Sequence, residues 1–398
     1  MKIQVHNSDY PEEQDLKKQN YQRGVNRMLQ RHIHTFEERA YQSDTVDKVC
    51  ELFKENTSVL IESPVGSGKT LMGLMVVKRI ADEKYLQGDD LTVNYVAARR
   101  HILKQAQILN EELFHCNINF VSAFDKTPPK ADMMIIDEAH HEATQSILNM
   151  YDSVNNTLTL GLSATPLRTD RMKLSFQKVV KSATIPFLID KGFLSKFHSY
   201  KLSIWDPRVI ARIYLDDIER FGKSLVFFKT IRECKVFSEI LNNNGVHCEV
   251  VTGSSDKDRQ LEDFLENRID VLTNVSVLTE GFDVPQLQSV FIRDASRVPT
   301  IQMAGRGLRK AEGKNFCNFI QSNNSKYPVE KIAAPSMSFS YFKNSWRSLS
   351  DDTEIILRTV EAYRQMVAEL EKRRITYRTT NNCSHKHEIA FNGNPSIY

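Results

Sequence analysis

Residues 63–70 have the sequence Ser-Pro-Val-Gly-Ser-Gly-Lys-Thr, between an apolar run at 58–61 and a helix-like segment that begins at Leu71. Small residues let backbone N–H groups close around phosphate oxygens, Lys69 reaches the β and γ phosphates, and the Thr70 hydroxyl can hold Mg²⁺. The general phosphate-loop pattern has Gly at the position of Ser63. The alternative to a nucleotide site is therefore a Gly-rich turn that only connects a strand to a helix. We predict a nucleotide site with Lys69 as a catalytic residue. Its cofactor-binding residues are Pro64, Val65, Gly66, Ser67, Gly68, Lys69 and Thr70.

A pair of acidic residues completes this predicted site. Asp137 and Glu138 begin the tetrapeptide Asp-Glu-Ala-His, directly after an apolar run at 133–136 and 68 residues (137 minus 69) after Lys69. A carboxylate that ends a buried strand beside the phosphate loop can hold Mg²⁺, and an adjacent carboxylate can deprotonate the attacking water. We predict that Thr70 and Asp137 bind the metal and that Glu138 activates water. The alternative for the tetrapeptide alone is an ordinary helix start with acidic first residues.

Short apolar runs alternate with helix-like segments in two parts of the chain, from 58 to 165 and again after 220. Nearly continuous hydrophobicity in such runs is typical of strands buried on both faces of a parallel sheet covered by helices. The sequence therefore predicts an α/β fold with two tandem domains, each a mainly parallel sheet flanked by helices. Residues 187–220 have mixed polarity and lack a comparable run, so we place a hinge near 195–215.

The predicted domain bounds follow from these patterns. An N-terminal extension covers 1–35, the first domain 36–200, the second domain 201–335, and a C-terminal helix and tail 336–398. A helix candidate at 351–374 is opened by Ser350-Asp351-Asp352 and carries apolar residues at helical spacing. The fold class thus includes a C-terminal helical extension.

A third motif, Gln302-Met303-Ala304-Gly305-Arg306-Gly307-Leu308-Arg309, lies in the second half. On a helix, its Gln302, Arg306 and Arg309 would lie within about one turn of one another. If that face closes on the phosphate loop, the two guanidinium groups stabilise the charge on the transferring phosphoryl group. We predict that all three residues are catalytic, against the alternative of a solvated basic face.

Together these motifs resemble those of superfamily 2 helicases that carry a DEAH box. The similarity is greatest to the DNA-directed branch with the type I and type III restriction motor subunits and phage branch-migration helicases. It covers roughly residues 36–320 and implies two RecA-like domains. Further motifs that carry the resemblance are Arg39-Ala40-Tyr41-Gln42, Val96-Ala97-Ala98-Arg99-Arg100, Gly161-Leu162-Ser163-Ala164-Thr165-Pro166 and Thr279-Glu280-Gly281-Phe282-Asp283-Val284-Pro285.

The resemblance implies roles for residues outside the phosphate loop. A glutamine motif contacts adenine, and an amide is a natural bidentate partner for adenine N6 and N7. Tyr41, Gln42, Gly281 and Asp283 are accordingly expected at the nucleotide. Contacts with the nucleic-acid backbone are expected at Arg99, Arg100, Thr252, Gly253 and Thr279. The Arg99-Arg100 segment lacks the Pro-Thr or Pro-Arg that is usual at this motif.

The resemblance therefore predicts an ATP-dependent DNA helicase or translocase that uses ATP and Mg²⁺, acting on DNA that includes branched recombination or repair intermediates. An RNA helicase is one alternative. Another is an ATPase motor subunit that does not unwind and acts with a nuclease or recombination partner through its C-terminal region. DNA stimulation compared with RNA stimulation of ATPase separates the first two.

Charge and composition set weaker limits. Lys plus Arg number 53 against 50 Asp plus Glu, and this balance of +3 does not by itself indicate a nucleic-acid partner. The six cysteines lie far apart and include no CxxC pair, which is typical of a reducing compartment. The sequence shows neither a secretory leader nor an apolar stretch of membrane-spanning length. We expect a cytoplasmic protein, in the host cytoplasm if it is viral, with no membrane partner.

Overall fold

The computed structural model describes residues 38–86, 90–141, 150, 158–164, 174–278, 284, 286–349, 365 and 369. The chain divides into two compact units, Met1–Tyr341 and Phe342–Tyr398. Within the described part of the second unit lies a short strand, Ser345–Ser348. In the part of the chain that the structure describes, no helix combines the length and apolar character required to cross a bilayer.

The first sheet of the first unit has six strands in the order β3-β2-β4-β5-β1-β6. Every neighbouring pair is parallel, so all carboxyl ends lie at one edge. Val59 and Ile61 of the first strand pack into one core cluster and Leu60 into another, because successive side chains of a strand point to opposite faces. The strands are β1 Ser58–Glu62, β2 Val93–Ala97, β3 Ile118–Ser122, β4 Met133–Asp137, β5 Leu158–Ser163 and β6 Lys178–Lys181.

The second sheet of this unit has the order β13-β7-β12-β11-β8-β10-β9, and its neighbouring strands are again parallel. One large core cluster on this sheet includes Leu225, Phe227, Val290 and Ile292. The strands are β7 Lys196–Leu202, β8 Ser224–Phe227, β9 Cys248–Val251, β10 Val271–Asn274, β11 Ser289–Ile292, β12 Phe316–Ser322 and β13 Met337–Phe342.

Helices form many of the connections between strands, because parallel strands need a crossover connection. Local sequence fixes several helix starts. At Thr230 the side chain accepts a hydrogen bond from the Glu233 N–H, and the Glu233 carboxylate accepts one from the Thr230 N–H, which is a capping box. The helices are α1 Ala40–Phe53, α2 Lys69–Leu86, α3 Arg100–Leu109, α4 Ile185–Asp190, α5 Pro207–Asp216, α6 Ile218–Phe221, α7 Ile231–Asn243, α8 Lys257–Leu265 and α9 Arg297–Gly307. Single turns of other helical types lie at Asn110–Phe114, Ala139–His141 and Val329–Lys331.

The predicted α/β class with two parallel sheets flanked by helices is confirmed. The segment predicted as a hinge, 195–215, instead holds β7 and most of α5. The seven residues of β7 all pair with β12, although the segment Lys-Phe-His-Ser-Tyr-Lys-Leu mixes polar and apolar residues. The domain bounds remain predictions. The N-terminal extension and nearly all of the C-terminal helix candidate lie outside the described residues.

Candidate functional site: the phosphate loop and the sheet edges

The phosphate loop follows β1, and its last two residues, Lys69 and Thr70, are the first two of α2. Gly66 and Gly68 have φ of 80° and 84°, in the left-handed region that favours glycine. Ser63 is fully buried, and its hydroxyl donates a 2.6 Å hydrogen bond to the Ser67 hydroxyl, which in turn donates to the Pro64 carbonyl at 2.7 Å. Ser63, which replaces the Gly of the general pattern, therefore stabilises the loop through its buried hydrogen bond to Ser67.

Two side chains of α1 hold the same loop from the other side. The Tyr41 hydroxyl and the Gln42 amide nitrogen both donate to the Ser67 carbonyl, at 2.7 and 3.1 Å. The Gln42 side-chain oxygen accepts the Arg39 backbone N–H at 3.2 Å, and Gln42 is only 2% exposed. Both ends of the amide that the sequence assigned to adenine thus bond to this chain's own backbone. The contact with adenine stays a prediction.

Asp137 ends β4 beside the start of α2 and is surrounded by donors. Its Oδ2 accepts a 2.6 Å hydrogen bond from the Tyr95 hydroxyl and lies 3.4 Å from the Thr70 hydroxyl, while Oδ1 accepts the Glu138 N–H at 2.8 Å. Burial, followed by the neighbouring Glu138 charge, raises the pKa of Asp137. The structure thus brings together Thr70, Asp137 and Glu138, as the sequence predicts.

Tyr95 is a site residue that the sequence analysis missed. It lies in β2, pairs with Ile135 of the neighbouring β4, and is fully buried. In a parallel pair the side chains of Tyr95, Ile135 and Asp137 share one face of the sheet, because side chains alternate along a strand. The available signal was a phenol within a run, 91–96, that the sequence predicts as a buried strand. Burial raises the pKa of Tyr95 well above its ordinary value, so the hydroxyl remains a donor to the carboxylate.

Glu138 and His140 follow β4 in a tight turn. Glu138 has a φ of 53°, an uncommon backbone conformation for a residue with a side chain. Its Oε2 lies 3.4 Å from the Nδ1 of the buried His140. This backbone conformation and the histidine contact both help to define where the Glu138 carboxylate lies.

Helix α9 of the second sheet packs directly on the phosphate loop. A Cβ added to Gly305 would lie 2.8 Å from the Val65 Cβ, and one added to Gly66 would lie 3.8 Å from the Arg309 Cγ and 2.9 Å from a Leu194 methyl carbon. Arg306 is only 6% exposed. The motif that carries Gln302, Arg306 and Arg309 therefore lies against the loop that carries Lys69.

One detail of this motif differs from the prediction. Helix α9 ends at Gly307, so Arg309 lies beyond the helix and not on its face. The end of the helix is stabilised from outside, because the Leu308 carbonyl accepts the Ser195 N–H at 2.7 Å and the Gly307 carbonyl accepts the Lys314 ammonium at 2.7 Å. Lys314 also donates to the Arg309 carbonyl at 2.9 Å. The Ser195 contact is tertiary and the Lys314 contacts are local, and both lie outside the motif that carries the second arginine.

The residues predicted to contact nucleic acid follow the carboxyl ends of strands. Arg99 precedes α3 and Arg100 is its exposed first residue, both directly after β2. Thr252 and Gly253 follow β9, and Gly253 is exposed. The carboxyl edge of each sheet thus carries one pair of residues predicted to contact nucleic acid, Arg99 and Arg100 on the first sheet and Thr252 and Gly253 on the second. Thr279, Gly281 and Asp283 lie outside the described residues.

Two family models cover most of this architecture. The model described as type III restriction enzyme, res subunit matches residues 35–126 and 120–168. The model described as helicase conserved C-terminal domain matches residues 206–311. The chain belongs to helicase superfamily 2. The first of these two matches includes the phosphate loop and Asp137, and the second includes Arg306 and Arg309 of this superfamily 2 protein.

Individual relatives are distant. Putative helicase 22 of Sulfolobus islandicus filamentous virus (isolate Iceland/Hveragerdi) is 23% identical, and the match covers 71% of this chain and 63% of that protein. The superfamily 2 chain therefore spans less than two thirds of that relative's length.

Solved structures show the same fold. The Type ISP restriction-modification enzyme LlaBIII bound to DNA matches 75% of this chain and 28% of that chain, with a TM-score of 0.55 and 19% identity. S. cerevisiae Dbp5 bound to RNA and ADP BeF3 matches 73% of this chain and 85% of that chain, with a TM-score of 0.52 and 14% identity. These matches confirm the predicted pair of RecA-like domains.

Proposed function

We propose that this chain is a nucleic-acid-dependent ATPase of the helicase type, whose ATP site is shared between its two sheets. The observation that carries the proposal is the packing of α9 on the phosphate loop, with Gly305 against Val65 and Arg309 beside Gly66. In this arrangement Lys69, Arg306 and Arg309 would act on one triphosphate. Because the site is shared, the rate of ATP hydrolysis would depend on how closely the second sheet's α9 packs on the phosphate loop of the first sheet.

The oxygen atoms of Asp137 and Thr70 fit a magnesium ion. Mg²⁺ prefers oxygen ligands and is usually held by one or two carboxylates together with substrate phosphates. The Thr70 hydroxyl and the buried Asp137 carboxylate supply such oxygens 3.4 Å apart. Burial raises the pKa of Asp137, and a cation bound beside the carboxylate would favour its charged form. Bound there, the ion would neutralise charge on the β and γ phosphates.

The chain's own groups have separate tasks in this proposal. Backbone N–H groups of 66–70 bind phosphate, and Lys69 binds the β and γ oxygens. Glu138 accepts the proton of the attacking water. Arg306 and Arg309 stabilise the charge that spreads over the phosphoryl oxygens in the transition state. Tyr41 and Gln42 hold the Ser67 carbonyl and so keep the loop in the shape that phosphate binding needs.

DNA is the strand that we propose. The match to the type III restriction model over the first half supports DNA, and LlaBIII was solved bound to DNA. RNA is the second candidate, since Dbp5 was solved bound to RNA and has the same fold. We further propose domains at 36–200 and 201–335, and action with a nuclease or recombination partner through 336–398, on branched repair or recombination intermediates.

Steady-state ATPase assays of the arginine variants test the shared site. Arg306→Ala and Arg309→Ala should each reduce nucleic-acid-stimulated turnover by about 10³-fold or more, because an arginine finger typically contributes that much to phosphoryl transfer. Lys310→Ala is the matched control, since Lys310 is an exposed cation in the same segment and should leave turnover unchanged. Single-stranded DNA, duplex DNA, branched DNA and RNA of equal length serve as activators.

The outcomes separate the claims. Wild-type stimulation in both arginine variants would show that the second sheet is not part of the ATP site. Equal stimulation by DNA and RNA would remove the DNA preference and leave the shared ATP site intact. Nucleotide affinity, measured separately, should change little in the arginine variants.

A further inference from the structure

Phe124 is the most exposed large apolar side chain among the described residues, at 68%. It lies directly after β3, at the carboxyl edge of the first sheet. A single exposed apolar side chain is common on protein surfaces and by itself indicates no function. The case for Phe124 therefore depends on how the residue is held and what surrounds it.

The backbone around Phe124 is anchored to the core. The N–H of the buried Ala123 donates to the Ala97 carbonyl at 3.0 Å, which continues the pairing of β3 with β2. The Phe124 N–H donates to the Ser122 hydroxyl at 3.3 Å, and the Asp125 N–H donates to the Ser122 carbonyl at 2.9 Å. The ring therefore projects into solvent from a well-defined turn, at low entropic cost to any partner that packs on it.

Cations surround this turn. Arg99 and Arg100 follow the neighbouring β2, one strand away, or about 5 Å in the hydrogen-bonding direction. Lys126 and Lys130 are exposed in the loop after Phe124. Asp125 is the acidic exception, and its Oδ1 accepts the Thr127 N–H at 3.1 Å. An exposed ring bordered by cations is typical of a surface on which a base stacks while its backbone is neutralised.

The turn is too far from the nucleotide loop to touch ATP. Sheet order separates β3 from β1 by four strand spacings, which amounts to about 19 Å. A ligand at Phe124 must therefore be a different molecule from the triphosphate at Lys69.

We infer that Phe124 stacks on a base of the single strand whose phosphates lie along Arg99 and Arg100. This inference rests on the proposed function, because it names a contact of the nucleic acid that the motor would bind. Every base of DNA or RNA offers a π face, so the contact is independent of sequence.

Equilibrium binding of fluorescent oligothymidylate and oligouridylate tests the inference. Phe124→Ala should weaken binding about 5- to 150-fold, the range expected for loss of one base–aromatic stack. Phe124→Trp should preserve affinity, and its added indole fluorescence should be quenched when the oligonucleotide binds. Phe316→Ala is the matched control, because Phe316 is 43% exposed but lies at the start of β12, away from the carboxyl edges. ATPase activity without nucleic acid should be unaltered in Phe124→Ala.

An oligonucleotide of the same length with abasic sugars separates stacking from distortion of the turn. Wild type and Phe124→Ala should bind it with equal affinity. Unchanged affinity of Phe124→Ala for the normal strand would overturn the inference while leaving the proposed function intact, and so would an equal loss on the abasic strand. Failure of the wild-type chain to bind either oligonucleotide would instead refute the proposed function, and the stacking contact with it.

Discussion

Replacing Tyr95 by Phe removes one hydroxyl from beside the predicted magnesium ligand. That hydroxyl donates a 2.6 Å hydrogen bond to Asp137 Oδ2, and the Thr70 hydroxyl at 3.4 Å is too far away to replace it. The ring of Phe fills nearly the same volume, so packing in β2 is preserved. We expect the variant to fold and to hold the Asp137 carboxylate less firmly.

The size of the effect follows from the type of bond. A hydrogen bond to a charged group contributes about 1.5–3 kcal/mol, which corresponds to about 10- to 150-fold in an equilibrium constant. Loss of a partner that orients a metal ligand typically costs about 10- to 100-fold in metal affinity or activity. We therefore expect the Mg²⁺ concentration for half-maximal effect to rise about 10- to 100-fold in Tyr95→Phe.

The assay is Mg²⁺-dependent binding of a fluorescent ATP analogue, followed by a Mg²⁺ titration of ATPase activity. Tyr214→Phe is the matched control, since the Tyr214 hydroxyl is part of an equally buried residue and donates at 2.7 Å to the Gly222 carbonyl in the second sheet. Tyr214→Phe should lose about 1 kcal/mol of folding stability, and Tyr95→Phe about 1.5–3 kcal/mol, because its partner is charged. Tyr214→Phe should keep the Mg²⁺ dependence of the wild type. The reasoning would be refuted if Tyr95→Phe kept it as well.

Two further predictions concern packing and charge. Gly305→Ala should lower stimulated ATPase turnover while the chain stays folded, because the new Cβ would lie 2.8 Å from the Val65 Cβ and force α9 away from the phosphate loop. Overpacking of this kind costs about 1–3 kcal/mol. Circular dichroism and turnover measurements check this prediction, and wild-type turnover would contradict the close approach. Burial lowers the pKa of Lys223 to about 8, so between pH 8 and the unfolded value near 10.5 the unfolded chain binds more protons and stability rises with pH. Urea unfolding across this range should show that rise in the wild type and a smaller one in Lys223→Met, whereas equal slopes would show that Lys223 titrates as a solvent-exposed lysine.

Local sequence was sufficient for the elements that are apolar on both faces. The runs at 58–61 and 133–136 became β1 and β4 because a strand covered by helices on both sides needs nearly continuous hydrophobicity. The segment that became β7 was missed, since its mixture of polar and apolar residues gives no such run. Its identity as a strand depends on β12, which follows more than a hundred residues later and pairs with it along its whole length.

The sequence by itself determined the chemistry of the phosphate loop and the acidic pair, because residue type and spacing along one strand–turn–helix unit are local properties. It also predicted that α9 would carry the second set of charged groups. The tertiary structure decided which groups meet: that Tyr95 donates to Asp137, that Gly305 packs on Val65, and that Ser195 donates to the Leu308 and Arg309 carbonyls. These contacts join residues that are tens to hundreds of positions apart in the sequence. A hydrophobic pattern along the chain reports only on local structure, so it does not predict them. They exist only once the sheets have formed and the side chains have packed, because close packing, and not local propensity, selects each partner.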